Sequence, residues 1–156
     1  MRIYNLVFCL LLAAAPALTS QASTPAPKPA QLHWGPAPAA FPKGAKMAVL
    51  KGDPAKAGQF TVELSFPAGY IIPPHSHPAD EIVTVKKGVL LVGMGDAFDL
   101  ANAKHMKVGQ KGTIPTGQHH FAAASGATVI TVSGKGPFEM TYVNPADDPR
   151  TPPAKS

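Results

Sequence analysis

GYIIPPHSHPADEIVTVKKG, Gly69–Gly88, decides how the rest of the 156-residue chain is read. His75 and His77 stand two apart, with Pro73, Pro74 and Pro78 around them. Prolines so placed break a helix. The stretch is therefore extended, and on extended backbone residues i and i+2 share a face. Both imidazoles can then point at one spot. After Pro78, EIVTV has the β-branched content of a strand. Glu81 at its start turns inward with Val83 and Val85. Two neutral imidazoles and a carboxylate suit one divalent transition metal, whether Fe, Mn, Zn, Ni or Cu.

On either side the chain is short strands between turns. MAVL at Met47–Leu50 is a strand. FTVELSF at Phe60–Phe66 alternates, with Phe60, Val62, Leu64 and Phe66 on the apolar face and Glu63 outward. Glu81–Val85 and Val89–Met94, joined by Lys86-Lys87-Gly88, look like a hairpin. Met106–Val108, Gly112–Pro115, Gln118–Ala123, Thr128–Ser133 and Phe138–Val143 follow as further strands. No segment has a helical pattern, and none repeats another. Many short strands with Gly and Pro punctuation indicate one all-β sandwich or barrel.

The ends differ from this body. Arg2 precedes an apolar run, Leu6–Ala15, then small residues and Ser20-Gln21-Ala22, the pattern of a secretory signal peptide cut after Ala22. The run is too short for a comfortable membrane span. The expectation is a periplasmic or secreted protein with no membrane span in the mature chain. The divisions are residues 1–22 signal peptide, 23–45 Pro/Ala-rich arm, 46–143 barrel and 144–156 polar, Pro-rich tail. Within the arm, Trp34 is expected to pack against the barrel or a partner subunit. The only cysteine, Cys9, lies in the leader, so the mature chain has no disulfide and no thiol ligand or nucleophile.

The chain has 14 basic and 9 acidic residues; without Arg2 that is 13 against 9, an excess of four. The lysines are scattered and do not interleave with aromatics, which gives nucleic-acid binding no support. A solvated, mildly basic surface is the simpler account.

A second histidine group lies in GQKGTIPTGQHHFAAA, Gly109–Ala124. Alternation lets only one of His119 and His120 face inward. His105, beside Lys104 and Lys107, is read as exposed, and His33 is given no role. Tyr70, Met94, Phe121 and Tyr142 are candidates to line a cavity, with plain core as the simpler account.

These two segments resemble the paired motifs of the cupin superfamily. The first matches as Gly69, five residues, His75-x-His77, three residues, Glu81, six residues and Gly88. The second matches as Gly109, five residues, Pro115-x-Gly117, two residues and His120. The 20 residues between them, Val89–Val108, suit a compact single-domain member. Ala124 departs from the family's frequent Asn, at a position that is not a ligand. The resemblance implies a small jelly-roll β-barrel and a metal held by His75, His77, Glu81 and His120. It favours His120 over His119, which becomes the ligand only if the turn shifts by one and otherwise supports a ligand or stands on the pocket rim.

The resemblance further implies a metalloenzyme, with dioxygenase-type oxidation of a small, oxygen-rich, metal-chelating molecule as the favoured class. Glu81 is the candidate catalytic base. Isomerase or lyase chemistry and a non-catalytic ligand-binding module are the alternatives. Cupins commonly pair, so a homodimer is expected.

Overall fold

A computed structural model of the chain describes residues 31–151. The expected signal peptide, the arm as far as residue 30 and the last five residues of the tail lie outside them.

Eleven strands follow in order: β1 (Gly35–Pro36), β2 (Lys46–Lys51), β3 (Gly58–Phe66), β4 (Ile71–Ser76), β5 (Glu81–Lys87), β6 (Val89–Met94), β7 (Lys104–Lys107), β8 (Lys111–Ile114), β9 (His120–Ala124), β10 (Thr128–Gly136) and β11 (Thr141–Tyr142). Two single-turn 3-10 helices, Leu100–Asn102 and Pro145–Asp147, are the only helical segments among the described residues. The strands form two antiparallel sheets, β1-β2-β3-β10-β5-β8 and β11-β4-β9-β6-β7. Their inner faces share one core, to which Val62, Leu64, Val83 and Val132 come from the first sheet and Ile72, Leu90 and Val92 from the second. This is the all-β, jelly-roll architecture the sequence suggested.

Alternation sorts the side chains. On β3, Phe60, Val62, Leu64 and Phe66 are buried while Glu63 points outward, half-buried. On β5, Glu81, Val83 and Val85 are buried together. The period of two does this without help from helix or loop.

Two expectations about pairing are corrected. β5 and β6 are not a hairpin: β5 pairs with β10 and β8, whereas β6 pairs with β9 and β7. The chain crosses from one sheet to the other at Gly88, whose φ is +76°. A Cβ there would sit 2.6 Å from Thr128 Oγ1 and 2.7 Å from the Ala127 carbonyl oxygen. Glycine is thus required both for the left-handed backbone and for space. Phe138–Val143 is not a full strand either, since only Thr141–Tyr142 pairs, with β4. Residues before it leave the ladder to serve the site described below.

The described part of the arm is tied to the barrel. β1 pairs with β2, and Phe41 is buried in the core. The Tyr70 hydroxyl donates to the Pro42 carbonyl at 2.6 Å, and the Tyr142 hydroxyl to that of Ala40 at 2.7 Å. Burial pushes the Tyr142 hydroxyl up to about 12 and Tyr70 higher still, so both remain donors. Trp34 does not pack as expected within the single chain and keeps 40% of its surface exposed, because β1 is a two-residue edge strand with little sheet around it.

Candidate metal centre

Strand crossing brings the four residues together. His75 is on β4 and His120 on the adjacent β9, where they are direct cross-strand partners. Glu81 opens β5 in the opposite sheet. His77 follows the end of β4. All four are buried: His75 and His120 at 2%, His77 at 5%, Glu81 at 8%.

Each histidine is held by the same device. Nδ1 of His75 donates to the Pro73 carbonyl at 2.8 Å, Nδ1 of His77 to that of Glu139 at 2.6 Å, and Nδ1 of His120 to that of Gln118 at 3.1 Å. A carbonyl oxygen only accepts, so each Nδ1 carries the proton. In the neutral ring Nε2 then presents a lone pair. His77 is further clamped by the Phe138 ring, stacked at 4.9 Å and 20°. Sequence reasoning missed Phe138 and Glu139. Glu139 lies 62 residues from His77 and reaches it by a main-chain carbonyl, for which a side-chain pattern carries no signal.

Ligand atoms of His75, His77 and His120 lie within 4.8 Å of one another. Glu81 Oε2 stands 3.3 Å from His120 Nε2 and 3.6 Å from His77 Nε2. Donors about 2.1 Å from one metal are separated by roughly 3.0 Å at right angles and 3.4 Å at tetrahedral angles. The His–Glu spacing is thus that of donors around a shared ion. Nε2 of His77 is buried with no hydrogen-bond partner. A buried polar atom without a partner costs free energy, and a metal would satisfy it. The residues fit a divalent transition metal.

Electrostatics agree. Burial, with His120 and His77 adding to it, pushes His75 down to about 3. Burial likewise lowers His77. Burial alone would raise Glu81, but the His120 and His77 rings beside its carboxylate outweigh it, and the net direction is down. Neutral imidazoles beside a carboxylate are the protonation state a metal takes.

His119 faces away from the cluster, as alternation requires. Its Nδ1 pairs with Asp96 at 2.6 Å near the surface. His105 is exposed. Tyr70 and Tyr142 are core. Phe121, a candidate for cavity lining, is instead buried on the outer face of β9, where its ring packs on Phe98 at 4.7 Å. The parity that turns His120 inward turns Phe121 out. Met94, 56% exposed, does line a cavity of about 370 Å3 beside the cluster.

The loops carrying the two motifs are latched together. The Gly117 N–H donates to the His77 carbonyl at 2.9 Å. Asp80 accepts from both the backbone N–H and the hydroxyl of Thr116, each at 2.8 Å. Asp80→Ala removes two bonds from the latch without touching a ligand. It is expected to weaken metal retention by roughly tenfold, the low end for groups that orient ligands. Titration with a competing chelator measures this; retention unchanged within twofold would show that the latch does not govern the site.

Comparisons place this arrangement among known proteins. A putative acetylacetone dioxygenase from Methylibium petroleiphilum PM1 is 24% identical, with a TM-score of 0.61 over 86% of this chain and 91% of that one. An RmlC-like cupin from Shewanella frigidimarina NCIMB 400 is 16% identical, with a TM-score of 0.53 over 67% and 84%. An oxalate oxidase solved with the substrate analogue glycolate is 27% identical, with a TM-score of 0.51 over 70% of this chain and 60% of that one. No curated protein sequence matches. The cupin family model matches residues 55–141, more than half of the chain and including all four clustered residues. The chain belongs to the cupin family.

Proposed function

We propose that this protein is a metal-dependent oxidoreductase of dioxygenase type, acting on a small, oxygen-rich organic molecule that chelates the metal. The observation that carries the reading is the set of three histidine Nε2 atoms, fixed by Nδ1–carbonyl bonds, converging with Glu81 beside an open cavity. Likeness to oxalate oxidase supports oxidation; likeness to the putative acetylacetone dioxygenase supports the fold alone.

His75, His77, Glu81 and His120 would hold the ion. A bound metal supplies Lewis acidity or dioxygen activation. The chain's own contribution is to hold three histidine Nε2 atoms toward one point through their Nδ1–carbonyl bonds, and to keep a carboxylate beside them in a buried site. Glu81 is the only carboxylate in the cluster, and it is the group placed to accept a substrate proton at Oε2.

The test loads the purified protein with Fe, Mn, Zn, Ni or Cu in turn. It then follows oxygen uptake with small dicarbonyls, hydroxy-ketones and dicarboxylates. Uptake by loaded protein and not by His77→Ala supports the reading. Metal retention with no turnover of any of them, and no exchangeable water at the metal, turns it to the non-catalytic binding module.

We further propose that the protein is exported and pairs with a second copy. The leader pattern supports export, and exposed Leu32, Trp34, Val49 and Leu50 on or just ahead of the short edge strand β1 and its neighbour β2 support pairing. Native mass spectrometry of cell-derived protein reads both. Retention of residues 1–22 removes the first proposal, and a monomeric mass the second.

A further inference from the structure

The cavity beside the cluster opens between the free edges of the two sheets, where β7 and β8 end their respective orders. Val83, Val92 and Ile114 line both this cavity and the small space that touches His75, Glu81 and His120, so the two are adjacent. Its walls are mostly apolar. One cation interrupts them: Lys104, on β7.

Lys104 has the inward parity of its strand. Met106, two residues on, is buried in the core, and Lys104 is the cross-strand partner of inward-facing Val92. No Asp or Glu lines the cavity. No ion pair among the described residues includes Lys104. In the loop just before β7 stands Asp99. Its carboxylate already accepts from the Ala101 N–H and the Asn102 side-chain amide. Lys104 lines the cavity while its side chain stays exposed to solvent, and with no carboxylate paired to it the ammonium is free to meet an anion there.

The register gives a length. Lys104 stands opposite Val92, and Val92 opposite Ala122, two residues from His120. Two strand spacings and two residues along the strand separate the Lys104 and His120 backbones by roughly 12 Å. Side chains stand roughly perpendicular to a sheet, so the two rise side by side and that span separates them. It is the length of a molecule of a few carbons.

We propose that Lys104 makes this cavity selective for a small anionic substrate, whose carboxylate pairs with the Lys104 ammonium while an oxygen-bearing chelating end lies at the histidine–glutamate cluster. The proposal rests on the metal reading given above. It narrows the substrate from oxygen-rich molecules in general to those with a carboxylate several atoms from the chelating group.

The experiment is calorimetric binding to metal-loaded protein, with 2-hydroxyglutarate and 2-hydroxypentanoate as probes. The two share a chelating hydroxy acid and differ at the far end, which is a carboxylate in one and a methyl group in the other. Unaltered protein is expected to bind 2-hydroxyglutarate at least tenfold more tightly. The preference falls below threefold in Lys104→Ala, survives in Lys104→Arg, and shrinks as salt is raised. Elemental analysis of each variant accompanies the binding. Full metal with no preference in the unaltered protein, or with the preference intact in Lys104→Ala, overturns the substrate assignment and leaves the metal centre standing. Absence of metal from the unaltered protein overturns both. An inward charge on an edge strand can also serve only to prevent edge-to-edge association. Lys104→Ala protein that self-associates while keeping its ligand preference would establish that role and overturn the proposal.

Discussion

Protein carrying His77→Ala is expected to purify with less than about a tenth of an equivalent of transition metal, where the unaltered chain carries one per site. His77 is the most exacting test of the four because its Nε2 is buried and has no hydrogen-bond partner. No protein group among the described residues satisfies that atom. Loss of a group that merely orients a ligand costs 10- to 100-fold in affinity, so loss of a ligand itself is expected to exceed 100-fold. His75→Ala should behave alike. Glu81→Gln keeps the shape and one oxygen but removes the charge, and is expected to retain metal weakly. His119→Ala is the control. Its ring pairs with Asp96 near the surface, and its metal content should equal that of the unaltered protein. Equal metal in His77→Ala and unaltered protein would sink the centre; loss in His119→Ala would shift the ligand register by one.

Gly93 and Phe121 give the largest expected effect on stability. They are cross-strand partners on β6 and β9. A Cβ on Gly93 would lie 2.2 Å from two atoms of the Phe121 ring. The ring cannot swing aside cheaply, because Phe121 is 1% exposed and packs on Phe98. The aromatic ring covers the glycine and closes a gap in the outer face of the sheet. Phe121→Ala is expected to cost about 3–5 kcal/mol, or roughly 10 to 20 °C in melting temperature for a domain of this size. Gly93→Ala should cost about 1–3 kcal/mol by overpacking. In a Phe121→Ala background the obstruction is gone, and Gly93→Ala should then cost only a few tenths of a kcal/mol. Thermal melts of the two single variants and the double variant decide it. Additive costs would mean that the two residues do not share the space.

What the sequence made legible followed from local periodicity. Alternation and proline punctuation put His75, His77 and Glu81 on one side of extended backbone and separated Glu63 from its apolar neighbours; alternation allowed only one of His119 and His120 inward, and the resemblance to the second cupin motif chose His120. The crossing at Gly88 was not legible. A Lys-Lys-Gly turn looks the same whether the next strand pairs with the last or passes to the facing sheet. What decides is the claim of distant β10 and β8 on β5, and of β9 and β7 on β6. The Glu139 carbonyl and the Phe138 ring behind His77 were hidden for a related reason. They belong to irregular backbone whose place is set by a contact across the whole domain. Tyr142 and the arm carbonyl it binds are 102 residues apart and equally silent in any local window.

The β3–β10 ladder, Gly58 against Gly136 at one end and Phe66 against Thr128 at the other, has a temporal meaning. It joins segments from opposite ends of the barrel sequence, so it closes only once nearly the whole domain is at hand, and pairings of such separation are slow to form. All four donors lie inside that closure, after β3 and before β10 in the chain. Glu81 opens β5, which β10 holds in the sheet facing the histidines, so a barrel without β10 in place offers an incomplete grip.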